Sequence, residues 1–330
     1  MFRPLELKVA QAGAGAAPAA LIPMRLAAIR YGAAAINLYE FVPLDGVALP
    51  SFSAGSHVDV HLPDGLVRQY SLCNPQGETH RYVVGVKRDA NSRGGSSFLH
   101  DQLRVGMVLQ LGAPRNNFPL HEDATASVFI AGGIGVTPIA CMVDRLRQLG
   151  RAWELHYAVR RRDEAAFLRE LAGDGLHLHV DEEHGGAPLD VAAIVRFAPA
   201  QAHLYCCGPA PMLDAFETAA KERPAALLHV ERFTPAQAAA LEGGFTVKLA
   251  RCGRSLSVAP GHTILETLRA AGIEVPASCE QGICGTCETR VLGGTPDHRD
   301  SLLSDDEKQA NKVMMICCSG SKQDLLVLDL

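Results

Sequence analysis

Between residues 24 and 122 apolar and polar positions alternate in short runs, INLYEFVPLDG, HVDVHLPDG, QYSLCN and RYVVGVKRD. A period of two over four to eight residues marks a strand with one face on a core, and the Pro-Asp-Gly and Asp-Gly pairs between runs are turns. Repeated short strands of this kind predict an antiparallel barrel. Beyond Glu122 the pattern changes. ASVFIAGGIGVTPIACMVDRLRQLG reads as an apolar strand, a glycine turn and an amphipathic helix, followed by a strand WELHYAVR and a helix EAAFLRELAG. LHLHVD, a helix over Asp190 to Arg196, the strand AHLYCCGP and the helix APMLDAFETAAKE continue the alternation, which is that of a doubly wound parallel sheet. TPAQAAALEGG reads as a linker. From Phe245 a hairpin, a helix TILETLRAAG, a cysteine loop, a strand at Glu288 to Leu292 and a last strand LLVLDL suit a β-grasp fold. The expected division is a flexible segment over 1–23, a barrel over 24–122, a nucleotide-binding unit over 123–234, a linker over 235–243 and a β-grasp unit over 244–330. The stretch Ala10 to Ala20 is Ala- and Gly-rich with neither period.

Composition narrows the partners. The 330 residues carry a net charge of −5 and only 5% aromatics, which offers neither a basic face nor a stacking platform for nucleic acid. The first residues lack a continuous apolar region with a cleavage site, and no run is long enough to span a bilayer. The expectation is a cytoplasmic protein without a membrane partner, whose ten cysteines stay reduced.

Those cysteines carry the sharpest signal. CEQGICGTC leaves four residues between Cys279 and Cys284 and two between Cys284 and Cys287; Cys317 follows after twenty-nine more. This is the plant-type spacing for a 2Fe-2S cluster. Gly282 and Gly285 let the loop curl around a cluster, and its amides can tune the cluster's potential. A zinc knuckle normally repeats a short spacing twice, which this segment does not. Cys318, beside the fourth position, is the alternative ligand there, although the spacing favours Cys317. Cys73, Cys141, Cys206 and Cys252 read as small apolar residues.

A cluster moves one electron at a time and a nicotinamide gives up a hydride, so a chain holding both sites needs a converter, for which flavin is the common solution. In RQYS a period of two puts Arg68 and Tyr70 on one strand face, suited to a phosphate and a ring. SRGGSSFLHDQL places Gly94, Gly95, Ser96 and Ser97 at the mouth of a helix, where amides gather an anion. A solvated strand face and a plain loop-to-helix turn are the alternatives for each taken alone. GGIGVTP follows an apolar strand and opens a helix; Gly132, Gly133 and Gly135 allow close approach of a pyrophosphate, and Thr137 can cap the helix or bond a phosphate. CCGPAPM repeats the arrangement at the far end of the sheet, so Cys207, Gly208, Pro209 and Met212 would border the nicotinamide. The alternative for Cys207 is a buried core thiol. Arg160, Arg161 and Arg162 follow the second nucleotide strand, where a 2'-phosphate would sit, and leave NADPH open beside NADH. HLHVDEEH has the residue types of a metal site but reads as a solvated loop. The acidic set Asp297, Asp300, Asp305, Asp306 and Glu307 reads as a helix N-terminal region.

RQYSLCN, GVKRD with SRGGSSFLHD, PRNNFPL, AGGIGVTPI, YCCGPAPM, ERF and CEQGICGTC occur in that order. With them the chain resembles the reductases of two-component oxygenases, of the phthalate dioxygenase reductase and vanillate O-demethylase reductase type. The resemblance covers nearly everything after the N-terminal segment. It implies FMN rather than FAD, with Arg68, Tyr70, Ser71, Lys87, Gly95 and Ser96 as flavin ligands, the last three nearer the phosphate, and Phe233 near the flavin ring or the nicotinamide. It implies electrons passing from NADH through flavin and cluster to a terminal oxygenase, Rieske-type, acting on an aromatic acid or similar small molecule, with no side chain acting as general acid or base. The chain has no Cys-x-His pair for a Rieske cluster and no facial triad of its own. Two other readings stand beside this one: an FAD-containing reductase of a cytochrome P450 or other hydroxylase, and a redox-sensing iron-sulfur flavoprotein without an oxygenase partner.

Overall fold

The computed structural model describes residues 21–330; the segment expected to be flexible lies, up to residue 20, outside the described residues. Strands β1 (Ile22–Ala33), β2 (Ile36–Pro43), β3 (His57–His61), β4 (Val67–Ser71), β5 (Tyr82–Lys87) and, after helix α1 (Gly95–Asp101), β6 (Val108–Leu111) form one antiparallel sheet. Its order is β4-β3-β6-β1-β2-β5, and a bridge between Leu72 and Val84 joins the two ends into a barrel. The inner residues Met24, Leu26, Tyr39, Phe41, Val58 and Val60 are fully buried. On β3 the alternation predicts an exposed outer face, yet His57 and Asp59 are buried too, because the cysteine loop and Arg115 cover that face.

The second layer runs β7 (Ala126–Gly132), α2 (Val136–Gln148), β8 (Ala152–Val159), α3 (Leu168–Leu171), β9 (Leu176–Val180), α4 (Val191–Phe197), β10 (His203–Cys207), α5 (Ala210–Ala219) and β11 (Leu228–Glu231). All strand pairs are parallel, in the order β11-β10-β7-β8-β9. This corrects the expectation that CCGPAPM lies at the far end of the sheet. β10 pairs directly with β7, since the chain builds outward through β8 and β9 and then crosses back. The reversal leaves a switch point between the ends of β7 and β10, where ligands bind such sheets.

EAAFLRELAG is not the full helix expected. Ala165, Ala166 and Phe167 are buried, Phe167 takes a left-handed φ of 61°, and the Tyr157 hydroxyl accepts from the Ala166 N–H. Burial of this plug outweighs helix propensity, and only Leu168–Leu171 remain helical. At α4 Asp190 is the N-cap, its carboxylate accepting from the Ala193 N–H.

The third sheet comprises β12 (Phe245–Leu249), β13 (Ser255–Val258), then after α6 (Ile264–Ala270) β14 (Glu288–Gly293), with β16 (Val313–Met315) and β18 (Leu325–Leu328). The order is β13-β12-β18-β14-β16, with β12 and β18 parallel. A small pair, β15 (Pro296–Asp297) and β17 (Gly320–Ser321), flanks it. Helix α6 is closed by a capping box of Thr263 and Glu266 and buries Ile264, Leu265 and Leu268 on the sheet. Helix α7 (Asp305–Ala310) carries Asp305, Asp306 and Glu307 in its first turn as expected, but the other two acids do different work. Asp297 lies in β15 beside Arg299, and Asp300 is buried, accepting from the amides of Leu302 and Leu303. The stretch read as a linker packs on this sheet: the Ala240 N–H donates to the Cys318 carbonyl at 2.8 Å. Among the described residues no helix is long and apolar enough to cross a membrane.

Candidate functional site

The cysteine loop has no regular structure between α6 and β14. Gly282 and Gly285 take φ of 69° and 77°, and a side chain at Gly282 would also run into the Cys318 sulfur. The Cys284 thiol lies against Cys279, and that of Cys287 against Cys317. Cys284, Cys287 and Cys317 are buried. Contact with the neighbouring thiol, and then burial, pushes Cys284 and Cys287 well above the usual thiol range. The amides of Gln281 and Thr286 reach the sulfurs of Cys279 and Cys284 at 3.3 and 3.5 Å. Four converging thiols in two pairs, with amides aimed at sulfur, are a donor set suited to two soft cations that each take two thiolates. Cys318 is buried beside this set, its sulfur against Cys317 and Gly282 and 3.7 Å from the Met315 carbonyl, so it remains the neighbouring thiol at the fourth position.

On the barrel, β4 carries Arg68 and Tyr70 into a cleft of about 230 Å³ that Lys87, Ser96, Thr137 and Phe233 also line. The Arg68 guanidinium donates to the carbonyls of Val67 and Arg93 at 2.9 and 2.8 Å, and has no carboxylate partner among the described residues. Gly95 lies so close to the Arg68 stem that a Cβ there would meet Cγ at 2.6 Å. Gly94 is the α1 N-cap, and Ser92 holds the turn by accepting from the Ser97 N–H and the Ser96 hydroxyl. Lys87 is less free than expected, because its Nζ pairs with Glu164 at 3.4 Å. Burial raises the Tyr70 phenol well above its ordinary value, so it stays neutral.

At the switch point the two glycine turns interlock. A Cβ at Gly135 would strike the Cys207 carbonyl, and Gly132 and Gly208 abut Pro209 and Met212. Gly133 completes the turn with φ 52°. Thr137 departs from expectation: it is buried, its hydroxyl donates back to the Ile134 carbonyl at 2.9 Å, and its methyl faces Gly85 of the barrel. It therefore locks the turn to β5 instead of capping α2. Cys207 is buried with its sulfur 3.9 Å from Glu231 Oε2. Burial pushes Glu231 up to about 8, so its carboxyl is protonated at neutral pH. Of the arginines after β8, Arg161 pairs with Asp163 and Arg162 with Glu183, which leaves Arg160 without an ion pair among the described residues.

A second cavity of about 160 Å³ joins the three layers, lined among others by His57, Arg68, Ser71, Asn117, Glu231, Phe233 and Cys279. Phe233 and Arg68 line both spaces. The cysteine loop is tied down here: the Asn117 amide donates to the Cys284 carbonyl at 3.0 Å, and Gln69 Nε2 reaches Ser278 Oγ at 3.4 Å and Asp59 at 3.0 Å. Arg115 holds Asp59 through two hydrogen bonds of 2.9 and 2.8 Å. Burial alone would raise the Asp59 carboxyl, but Arg115 outweighs it and holds it below the usual range. Burial, then the Arg115 charge, lowers His57 to about 4, and its buried Nε2 has no partner among the described residues. A guanidinium without a carboxylate among the described residues, an orphaned ring nitrogen and a glycine-walled cleft fit a bound group with a phosphate and a polar ring. His57, Asp59, Gln69, Arg115, Asn117 and Glu231 are the site residues that sequence reasoning missed. Their local signals were the polar side of HVDVH and the motifs RQYSLCN, PRNNFPL and ERF, which contain Gln69, Arg115, Asn117 and Glu231 without showing that they meet.

Comparison with known proteins agrees with this layout. Residues 247–321 match the model of the 2Fe-2S iron-sulfur cluster binding domain. The chain is 52% identical over 316 residues to a phenoxybenzoate dioxygenase subunit beta of Ectopseudomonas oleovorans, covering 96% of this chain and 99% of that one. It is 51% identical over 325 residues to a tetrachlorobenzoquinone reductase of Sphingobium chlorophenolicum, covering 95% and 99%. The solved structure of phthalate dioxygenase reductase, described as modular for electron transfer from pyridine nucleotides to 2Fe-2S, superposes with a TM-score of 0.71 at 38% identity, over 94% of this chain and 98% of that one. The thiol pairs, the nucleotide switch point and the cleft between them thus occur in a chain that belongs to the family of phthalate dioxygenase reductase and vanillate O-demethylase oxidoreductase, and it is an NAD(P)H-dependent flavin and iron-sulfur oxidoreductase.

Proposed function

We propose that the chain is the reductase component of a Rieske-type oxygenase acting on an aromatic acid or similar small molecule, taking electrons from NADH through FMN and a 2Fe-2S cluster. The observation that carries this is the shared cavity, which brings Cys279 of the cysteine loop, Arg68 of the barrel and Glu231 and Phe233 of the nucleotide layer to one space. In the proposed division, 24–122 holds flavin, 123–234 nucleotide and 244–330 the cluster. Cys279, Cys284, Cys287 and Cys317 hold the cluster. Arg68 and the turn of Gly94, Gly95, Ser96 and Ser97 hold the terminal phosphate, and Tyr70 and Ser71 flank the ring. Bound there, flavin accepts a hydride from the nicotinamide and releases electrons singly.

The protein's own work is positioning. Gly132, Gly133, Gly135 and Gly208 keep side chains out of the pyrophosphate's path, while Pro209 and Met212 wall it. Arg160, without an ion pair among the described residues, would be available to the adenosine end of the dinucleotide. Cys207 and protonated Glu231 present an uncharged, water-poor wall to the nicotinamide, and Phe233 separates that wall from the cluster side. Asn117, Gln69 and Arg115 with Asp59 fix the cluster loop against the barrel, which sets the electron path.

The test is to combine the purified protein with a Rieske oxygenase, NADH and candidate aromatic acids. Product that depends on this protein and exceeds product with NADPH supports the reading; failure to reduce any Rieske protein overturns it. The 51% identity to a quinone reductase favours a second reading, direct reduction of a small quinone. Under that reading NADH-quinone turnover would survive loss of the cluster.

A further inference from the structure

At the opposite end of the parallel sheet, three histidines from separate segments converge: His121 from the connector between barrel and sheet, His203 at the start of β10, and His229 on β11. One ring nitrogen from each lies within 4.8 Å of the other two. His203 Nδ1 and His229 Nε2 are 2.9 Å apart with their rings parallel within 4°, and the His121 ring lies 4.5 and 4.8 Å from the two, centroid to centroid. His203 and His229 are half-buried, and His121 is exposed. His229 stacks on Tyr205 at 4.4 Å, Tyr205 stacks on Phe129 at 5.0 Å, and the Tyr205 hydroxyl accepts from the His121 backbone N–H at 2.9 Å. A buried aromatic floor therefore backs the His229 ring and anchors the backbone at His121 before any ligand arrives.

We infer that His121, His203 and His229 form a binding site for one borderline divalent cation of the Zn²⁺ class, at the junction of the barrel connector and the parallel sheet. Three imidazoles are a common protein ligand set for such ions and leave a fourth position for water. Asp123, which lines the same hollow and makes no ion pair among the described residues, offers a carboxylate there, whereas Glu122 is taken by Arg145 at 2.7 Å. On binding, the hydrogen bond between His203 Nδ1 and His229 Nε2 is given up: the ring that donated it carries its proton on its other nitrogen instead, so each neutral ring gives the cation one lone pair. The site lies four residues from Cys207 along β10, about 13 Å away at about 3.3 Å per residue, so it stands apart from the nucleotide crevice. Its effect is to staple the connector to β10 and β11.

The test uses the holoprotein with flavin and cluster in place, equilibrated with Zn²⁺ in chelator-treated buffer, with bound metal counted by mass spectrometry. The wild type should bind one equivalent at micromolar Zn²⁺ and unfold at a higher temperature with it. His121→Ala, at an exposed position, and His203→Gln should each bind it more than about tenfold more weakly, since even outer-shell partners of metal ligands are worth that much. Visible spectra and NADH-ferricyanide turnover should stay unchanged in both variants. Equal affinity in His121→Ala and wild type would assign the metal to a thiol such as the exposed Cys252 and overturn the inference. Absence of binding at about 100 µM, far above ordinary structural zinc affinities, would overturn it as well.

Discussion

Replacing Arg115 with Ala removes the cation from a carboxylate that is only 7% exposed, whereas the arginine itself is 34% exposed. Breaking a fully buried pair from one side costs about 3–5 kcal/mol. Solvent screening of the half-open guanidinium lowers this to about 2–3 kcal/mol. Asp59→Asn should cost less, about 1 kcal/mol, because it leaves the unpaired charge on the side that water reaches. The pH dependence has a definite direction. In the wild type the Asp59 carboxyl lies below its ordinary 3.8, so its stabilisation is present above that value and is lost as pH falls through the depressed one. In Arg115→Ala burial is opposed only by the hydrogen bonds of Gln69 and Ser278, so the carboxyl rises relative to the wild type, and the deficit is largest near pH 8 and shrinks as pH is lowered toward 5. Urea unfolding at pH 8 and pH 5.5 measures this. Because Asp59 also meets Gln69 and Ser278 beside Cys279, NADH-cytochrome c turnover should fall while NADH-ferricyanide turnover holds. A larger loss in Asp59→Asn than in Arg115→Ala, or a deficit that grows toward acid, would refute the picture of a buried carboxylate clamping the loop.

Cys284→Ser should abolish the 2Fe-2S absorption and EPR signals while flavin stays bound, with ferricyanide turnover kept and cytochrome c turnover lost; joint loss of both in a flavin-loaded protein would contradict the linear path. Arg68→Ala should weaken FMN retention by about tenfold or more, the value of one charge-assisted contact, read by flavin release into a filtrate, and the flavin set free by acid should have the mass of FMN. Glu231, raised to about 8 by burial, opposes folding increasingly as pH rises from its unfolded value near 4.5 toward 8. Glu231→Gln should therefore flatten the fall of melting temperature between pH 6 and 9, and an unchanged slope would show that this carboxyl is not the titrating group.

What could be read from the sequence follows from how far apart the interacting residues lie. The cysteine loop is legible because three of its four thiols and both turning glycines fall within nine positions, and the barrel and sheet are legible because strand alternation is local. The clamp is not: Arg115 lies 56 residues from Asp59, Gln69 lies 209 from Ser278, and Asn117 lies 167 from Cys284. Buried polar residues on the outer face of β3 look like solvated ones until the covering elements are placed. The same holds for Glu231, whose protonation follows from burial at the end of an edge strand. EAAFLRELAG failed for another reason, since tertiary burial of Phe167 overrode a favourable helix propensity. The placement of β10 beside β7 is a topological fact that no single segment carries.

The most direct test of the electron path is anaerobic freeze-quench EPR. The protein is reduced with one equivalent of NADH and mixed with the oxidised Rieske component of an aromatic-acid oxygenase. The account predicts that the reduced 2Fe-2S signal of this chain decays as the reduced Rieske signal grows, one electron for one, and that the Cys284→Ser protein transfers none. Growth of the Rieske signal at an undiminished rate in Cys284→Ser, or decay of the cluster signal only against a cytochrome P450, would contradict it.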